Sequence, residues 1–165
     1  CLLYEHGGIW IDSTLFIAQD LPEIIFTTPF YSCKFNSETL YITQCRWSNF
    51  FLCAQKGSPI FSFTRNMLFE YIKKEERFID YFLMDYIIYL GYTKFPEIKR
   101  EIDQVPLNNE NIHTLLHIIN EPFQEKKWRE LRKNTYLFKL SWKIKYIDSI
   151  NKYPTYWHHI KQEII

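Results

Sequence analysis

Tyr4-Glu5-His6-Gly7-Gly8-Ile9-Trp10-Ile11-Asp12-Ser13-Thr14 is the stretch on which the reading of this chain turns. Residues 1–6 read as the last turns of a helix. Gly7 and Gly8 stop it, because glycine tolerates the left-handed backbone that ends helices. Ile9-Trp10-Ile11 is β-branched and aromatic, which predicts a short strand. Asp12-Ser13-Thr14 then breaks the apolar run. A strand of this kind carries a carboxylate to its C-terminal end, where open α/β sheets bind ligands. A carboxylate there can hold a hard divalent cation against a diphosphate, so that the cation neutralises a nucleotide leaving group. The same spacing also suits a plain polar cap, with Asp12 accepting hydrogen bonds from a turn.

Working outward, 165 residues suffice for one domain and are too few for two comfortable ones. Apolar residues make up 47%, enough for a sizeable core. Aromatics reach 19%, mostly Phe and Tyr. That excess fits either a coding bias that fills the core with rings or a surface that stacks on carbohydrate or bases. The net charge of +1 gives no argument for nucleic acid as a partner. Charge is nevertheless uneven: Lys126 to Lys145 holds eight Lys or Arg and one Glu. Cys1, Cys33, Cys45 and Cys53 match no zinc spacing and sit among apolar neighbours, which points to free thiols in a reducing, cytoplasmic compartment. No apolar run approaches the roughly 18 residues of a membrane span, and no signal peptide is visible. The opening Cys-Leu-Leu-Tyr-Glu-His reads as a helix already under way, so the chain is expected to be the C-terminal portion of one larger domain, with residues 1–165 forming a single unit.

Further elements follow from local chemistry. Leu15-Phe16-Ile17 and residues 40–43 are predicted strands, and 48–54 is an apolar strand or short helix. Ser58-Pro59 predicts a helix start, with Ser58 as N-cap, running to about residue 76. A second, mostly buried helix is expected over 78–90, ended by Gly91. Helices are expected over 111–119, 123–133 and 155–164, and a strand over 135–140.

The opening stretch resembles the signature of the bacterial capsular-polysaccharide-synthesis glycosyltransferases. These are similar to the larger group with a DXD-containing sugar-binding region, whose pattern is roughly Tyr-Gly-Gly, apolar residues, then Asp-x-Asp. Trp47-Ser48-Asn49-Phe50-Phe51-Leu52-Cys53-Ala54 with Gly57-Ser58-Pro59, Tyr81-Phe82-Leu83-Met84-Asp85-Tyr86 and Lys139-Leu140-Ser141-Trp142-Lys143 are similar to later segments of that family. The resemblance spans about residues 1–145. It implies an α/β protein with part of a GT-A, Rossmann-like fold and a helical C-terminal half. It further implies transfer of a sugar from a nucleotide-sugar donor to a growing polysaccharide or lipid-linked glycan. By carry-over, Gly7, Gly8, Trp10, Asp12, Thr14, Asn49 and Lys139 fall in the donor site, and Asp12 is the metal ligand for Mn²⁺ or Mg²⁺. Thr14 stands where the second Asp of the motif belongs, and a neutral hydroxyl is a poorer cation ligand. The capsular subgroup commonly carries this Asp-x-Thr form.

Other groups have two readings each. Asn49 fits a hydrogen bond to a donor or acceptor hydroxyl. Asp85, inside an apolar helix, is either a general base for the acceptor hydroxyl or a buried partner of a Tyr or Arg. Lys139 and Lys143 either stabilise a departing diphosphate or belong to a solvated basic face. Lys126, Lys127, Arg129, Arg132 and Lys133 with Trp128 suit peripheral contact with an anionic inner-membrane face. His113 and His117 share a helix face at zinc-ligand spacing, without the Glu that a metalloprotease helix needs. His158-His159 reads as surface. The competing readings of the whole are a non-catalytic glycosyltransferase-like partner and an aromatic-rich carbohydrate-binding protein.

Overall fold

The computed structural model describes residues 1–36 and 41–163. In chain order the elements are α1 (Leu2–His6), β1 (Gly8–Ile11), β2 (Leu15–Ile17), α2 (Ile24–Thr27), β3 (Phe30–Ser32), β4 (Phe51–Ala54), α3 (Pro59–Lys74), α4 (Leu83–Lys94), α5 (Pro96–Asp103), α6 (Thr114–Ile118), α7 (Glu125–Arg132), β5 (Leu137–Lys139), β6 (Ser149–Ile150), β7 (Tyr153–Pro154) and α8 (Tyr156–Glu163). The class is mixed α/β, with the helices concentrated toward the C-terminal half. Every strand pair among the described residues is antiparallel. The parallel ladder that a Rossmann-like sheet brings is not among them.

The chain folds as two compact units, Cys1–Ile11 with Pro22–Leu107, and Asp12–Leu21 with Asn108–Ile165. The first is built on the sheet β1-β4-β3. Its central strand β4 reads Phe-Leu-Cys-Ala and is buried along its whole length. A short strand paired on both edges and covered on both faces has no solvated side, so its sequence shows no alternation. Phe30, Phe51, Ile60, Phe61 and Ile88 complete this core.

Gly7 fixes how the chain enters β1. Its φ is 70° and its ψ −161°, a region that only glycine visits cheaply. A Cβ there would lie 2.7 Å from the Lys56 backbone nitrogen and 2.9 Å from the Ala54 carbonyl oxygen. The Gly57 N–H also donates to the Tyr4 carbonyl at 2.9 Å. The helix-to-strand turn is therefore locked against the loop that follows β4.

Three predicted features differ. Ser58 precedes α3 as expected, but its side chain makes no cap bond and its hydroxyl is buried without a hydrogen-bond partner among the described residues. Gly91 lies inside α4 instead of ending it. A Cβ at Gly91 would sit 2.9 Å from Phe63 Cδ1 and 3.1 Å from Ile98 Cδ1, so glycine is there for close packing of neighbouring helices. The predicted strand over 40–43 begins at Leu40, which lies outside the described residues, and Tyr41–Thr43 forms a bend and turn.

The second unit has its own core around Trp128. That indole packs on Phe16 (6.4 Å between centroids), Phe138 (5.6 Å) and Tyr156 (6.4 Å). Strands β2 and β5 pair in the register Leu15–Lys139, Phe16–Phe138 and Ile17–Leu137. Phe16 and Phe138 sit opposite each other on the buried face, and burial of that face fixes the register. The hairpin β6–β7 turns through Asn151 and Lys152, both at positive φ (49° and 70°). This is the mirror-image turn that matches strand twist, with Lys152 in a position usually given to glycine.

Candidate functional site

The β2–β5 register places Lys139 beside the tripeptide Asp12-Ser13-Thr14. The Lys139 ammonium donates to Asp12 Oδ2 at 2.8 Å and to Thr14 Oγ1 at 2.6 Å. Backbone bonds hold the arrangement from both sides. The Leu15 N–H donates to the Asp12 carbonyl at 3.0 Å, and the Leu140 N–H donates to the Thr14 carbonyl at 2.8 Å. The side chains of Lys139 and Asp12 are 22% and 37% exposed, so the charge pair stays within reach of a ligand. Of the predicted donor residues, Asp12, Thr14 and Lys139 thus form one cluster in the second unit.

The others fall in the first unit. Gly7 and Gly8 shape the entry to β1, where Trp10 is half-exposed opposite Leu52. Asp85 and Asn49 meet each other away from solvent. The Trp47 indole N–H donates to Asp85 Oδ1 at 2.9 Å, and the Asn49 side chain also bonds the carboxylate. Burial pushes the Asp85 carboxyl above its ordinary range, and these two donors oppose that push. The Trp47 contact is of the kind that the buried-partner reading of Asp85 expects, with an indole in place of a Tyr or Arg.

The Lys139 N–H donates to the Ile112 carbonyl at 2.8 Å, which brings the start of α6 against β5. Burial lowers the His113 pKa, and the neighbouring charges of His117 and Lys139 lower it further. Among the described residues no group of three or more His, Cys, Asp and Glu side chains could hold a metal ion.

The basic stretch is largely self-neutralised. Arg129 pairs with Glu125, Lys133 with Glu130, and Lys127 with Glu121. Arg132 donates to the Ala18 carbonyl at 2.6 Å. Trp128, expected beside these charges on a membrane face, is only 2% exposed and forms the core of its unit. The helical period turns it inward while its basic neighbours face out. No helix among the described residues is long and apolar enough to cross a membrane.

Next to the Asp12–Thr14–Lys139 cluster lies a pocket of about 550 Å³. Ser13 and Thr14 line it with Phe16, Trp142, Tyr146 and Trp157, and Glu163 lies at its border. The Tyr146 and Trp157 rings pack at 4.4 Å, and Trp142 is 79% exposed. A Lys–Asp ion pair and a hydroxyl thus lie beside an aromatic-lined cavity.

A family model described as "Capsular polysaccharide synthesis protein" matches residues 1–160, and the chain belongs to that family. No curated protein matches the chain, and no solved structure does.

Proposed function

We propose that this chain is a GT-A-type glycosyltransferase that moves a sugar from a nucleotide-sugar donor to a growing polysaccharide or lipid-linked glycan. The observation that carries the reading is the Lys139 ammonium held at 2.8 Å from Asp12 and 2.6 Å from Thr14. Membership of a capsular polysaccharide synthesis family supplies the glycan context. In the transfer, the acceptor oxygen forms a bond to the anomeric carbon as the bond from that carbon to the diphosphate oxygen breaks. The electron pair leaves on the diphosphate, and the proton of the acceptor hydroxyl passes to solvent water. A cation fixed where that negative charge develops lowers the barrier. Lys139 is the group suited to this role, with Asp12 and Thr14 orienting its side chain.

The residues present do not fit a divalent cation well. Asp12 is a single carboxylate already engaged by an ammonium, and Thr14 adds a neutral hydroxyl. Mn²⁺ or Mg²⁺ would have to displace Lys139, and no step of the proposal runs through a metal. Nor is a base role assigned to Asp85, whose carboxylate is occupied by Trp47 and Asn49. Buried thiols outside any disulfide at Cys33 and Cys53 accord with work in the reducing cytoplasm, with a lipid-linked acceptor at the inner membrane face.

The test is nucleotide release from a panel of nucleotide sugars, with and without acceptor glycans, and with and without Mn²⁺ or Mg²⁺. Release from one donor, lost in Lys139→Met, is the expected result. Absence of both turnover and donor binding would overturn it and leave a non-catalytic, carbohydrate-binding member of the family.

A further inference from the structure

We propose that the pocket beside Thr14 is a pyranose subsite for the acceptor glycan, with Trp142 as its stacking platform. The inference rests on the transferase reading for the acceptor's role, but the sugar-binding chemistry stands on the pocket itself.

Five observations support it. The pocket, about 550 Å³, falls in the size range of small-ligand sites. Its lining brings the rings of Trp142, Tyr146 and Trp157 together with the hydroxyl-bearing residues Ser13, Thr14 and Ser141. A pyranose likewise has apolar C–H faces and a polar rim of hydroxyls. The charged residue in its lining is Glu163, a carboxylate, so the cavity suits a neutral polyhydroxylated ring and disfavours a diphosphate.

Trp142 is 79% exposed although the pocket offers apolar cover. An exposed indole beside a pocket offers a flat apolar face on which a sugar ring can stack. The Lys143 ammonium approaches its ring at 5.7 Å, a contact worth little at an exposed site and easily exchanged for a sugar face. An open lip also suits a growing chain, which must project into solvent beyond the residue being extended.

Thr14 joins this subsite to the charged cluster. Its hydroxyl accepts from Lys139 and still has its own hydrogen to donate toward a sugar hydroxyl. It belongs at once to the pocket wall and to the Lys139 site. An acceptor ring in the pocket therefore lies next to the place where the leaving diphosphate would be neutralised.

The experiment is saturation-transfer NMR on the full chain. The probes are maltose, cellobiose, lactose and the methyl glycosides of glucose, galactose, mannose and N-acetylglucosamine. Binding of UDP, GDP, CMP and the nucleotide sugars UDP-glucose and GDP-mannose is measured in parallel. At least one saccharide is expected to show transfer to one ring face. The signal should persist in Trp142→Phe and weaken about tenfold or more in Trp142→Ala, with nucleotide affinity unchanged in both. No transfer to any saccharide, or equal transfer in Trp142→Ala, overturns the subsite. If Trp142→Ala abolishes signal only from the sugar protons of a nucleotide sugar, the acceptor assignment is overturned. Saccharide binding without any nucleotide binding would keep the subsite and defeat the transferase reading. Nucleotide binding without saccharide binding would do the reverse.

Discussion

Lys139 Nζ lies 2.8 Å from Asp12 Oδ2 across 127 residues of sequence. Neither residue is remarkable alone, one a polar break after a strand and the other a member of a basic stretch. The antiparallel pairing of β2 with β5 makes them neighbours, and the ring packing of Phe16 and Phe138 on Trp128 holds that pairing.

Lys139→Met should cut donor turnover by about 10²–10³-fold, the usual cost of losing one preorganised group at a developing negative charge. The fold should be nearly unaffected, since a partly exposed ion pair contributes about 1 kcal/mol or less. Steady-state nucleotide release and thermal melts on the same samples separate the two effects. A large loss of melting temperature would make the pair structural.

The same substitution should move His113. Lys139 is one of the charges that hold its imidazole below the ordinary histidine range. Removing that charge raises the pKa, though burial keeps it below the usual value. An NMR titration of the imidazole protons in wild type and Lys139→Met reads the shift directly. An unchanged titration would mean that the two groups are not electrostatic neighbours.

Asp85→Ala leaves the Trp47 indole N–H buried without its acceptor, which should cost about 1–3 kcal/mol in urea unfolding. Asp85→Asn keeps an acceptor for that N–H and tests the charge alone. The folded carboxyl titrates above its unfolded value, so the folded state holds the proton more tightly. Its contribution to stability is therefore greatest at low pH and declines as pH rises from the ordinary carboxylate range, about 4, through the raised folded value. Asp85→Asn should lack that decline. If Asp85 is instead the acceptor's base, the variant would lose turnover with little change in the pH dependence of stability.

Gly7→Ala should destabilise the first unit by about 1–3 kcal/mol through backbone strain alone, with more from the collision at the Lys56 nitrogen. Gly8→Ala meets open space and should cost only the strain of its positive φ. If donor binding falls in Gly8→Ala without loss of stability, the second glycine has a ligand role beyond shaping the turn.

Much of the local structure was legible from residue chemistry. The helix end at His6, the strand at Ile9–Ile11, the start of α3 at Pro59, and α7, β5 and α8 all lie where period, caps and prolines place them. Gly91 was misread because a glycine in a helical run signals a stop unless one knows that Phe63 and Ile98 press against it. Trp128 was misread as a surface ring because its sequence neighbours are basic, although the helical period turns it inward.

By itself, then, the sequence determined the mixed α/β class, the short elements and the residues able to carry chemistry, because propensities, turns and hydrophobic periods act over a few residues. Only the tertiary structure decided which of those residues meet. Pairing of β2 with β5 joined Lys139 to Asp12 and Thr14, and burial joined Asp85 to Trp47 and Asn49. Such contacts depend on packing between segments far apart in the chain, and no local pattern encodes which partner a strand or a buried carboxylate will find.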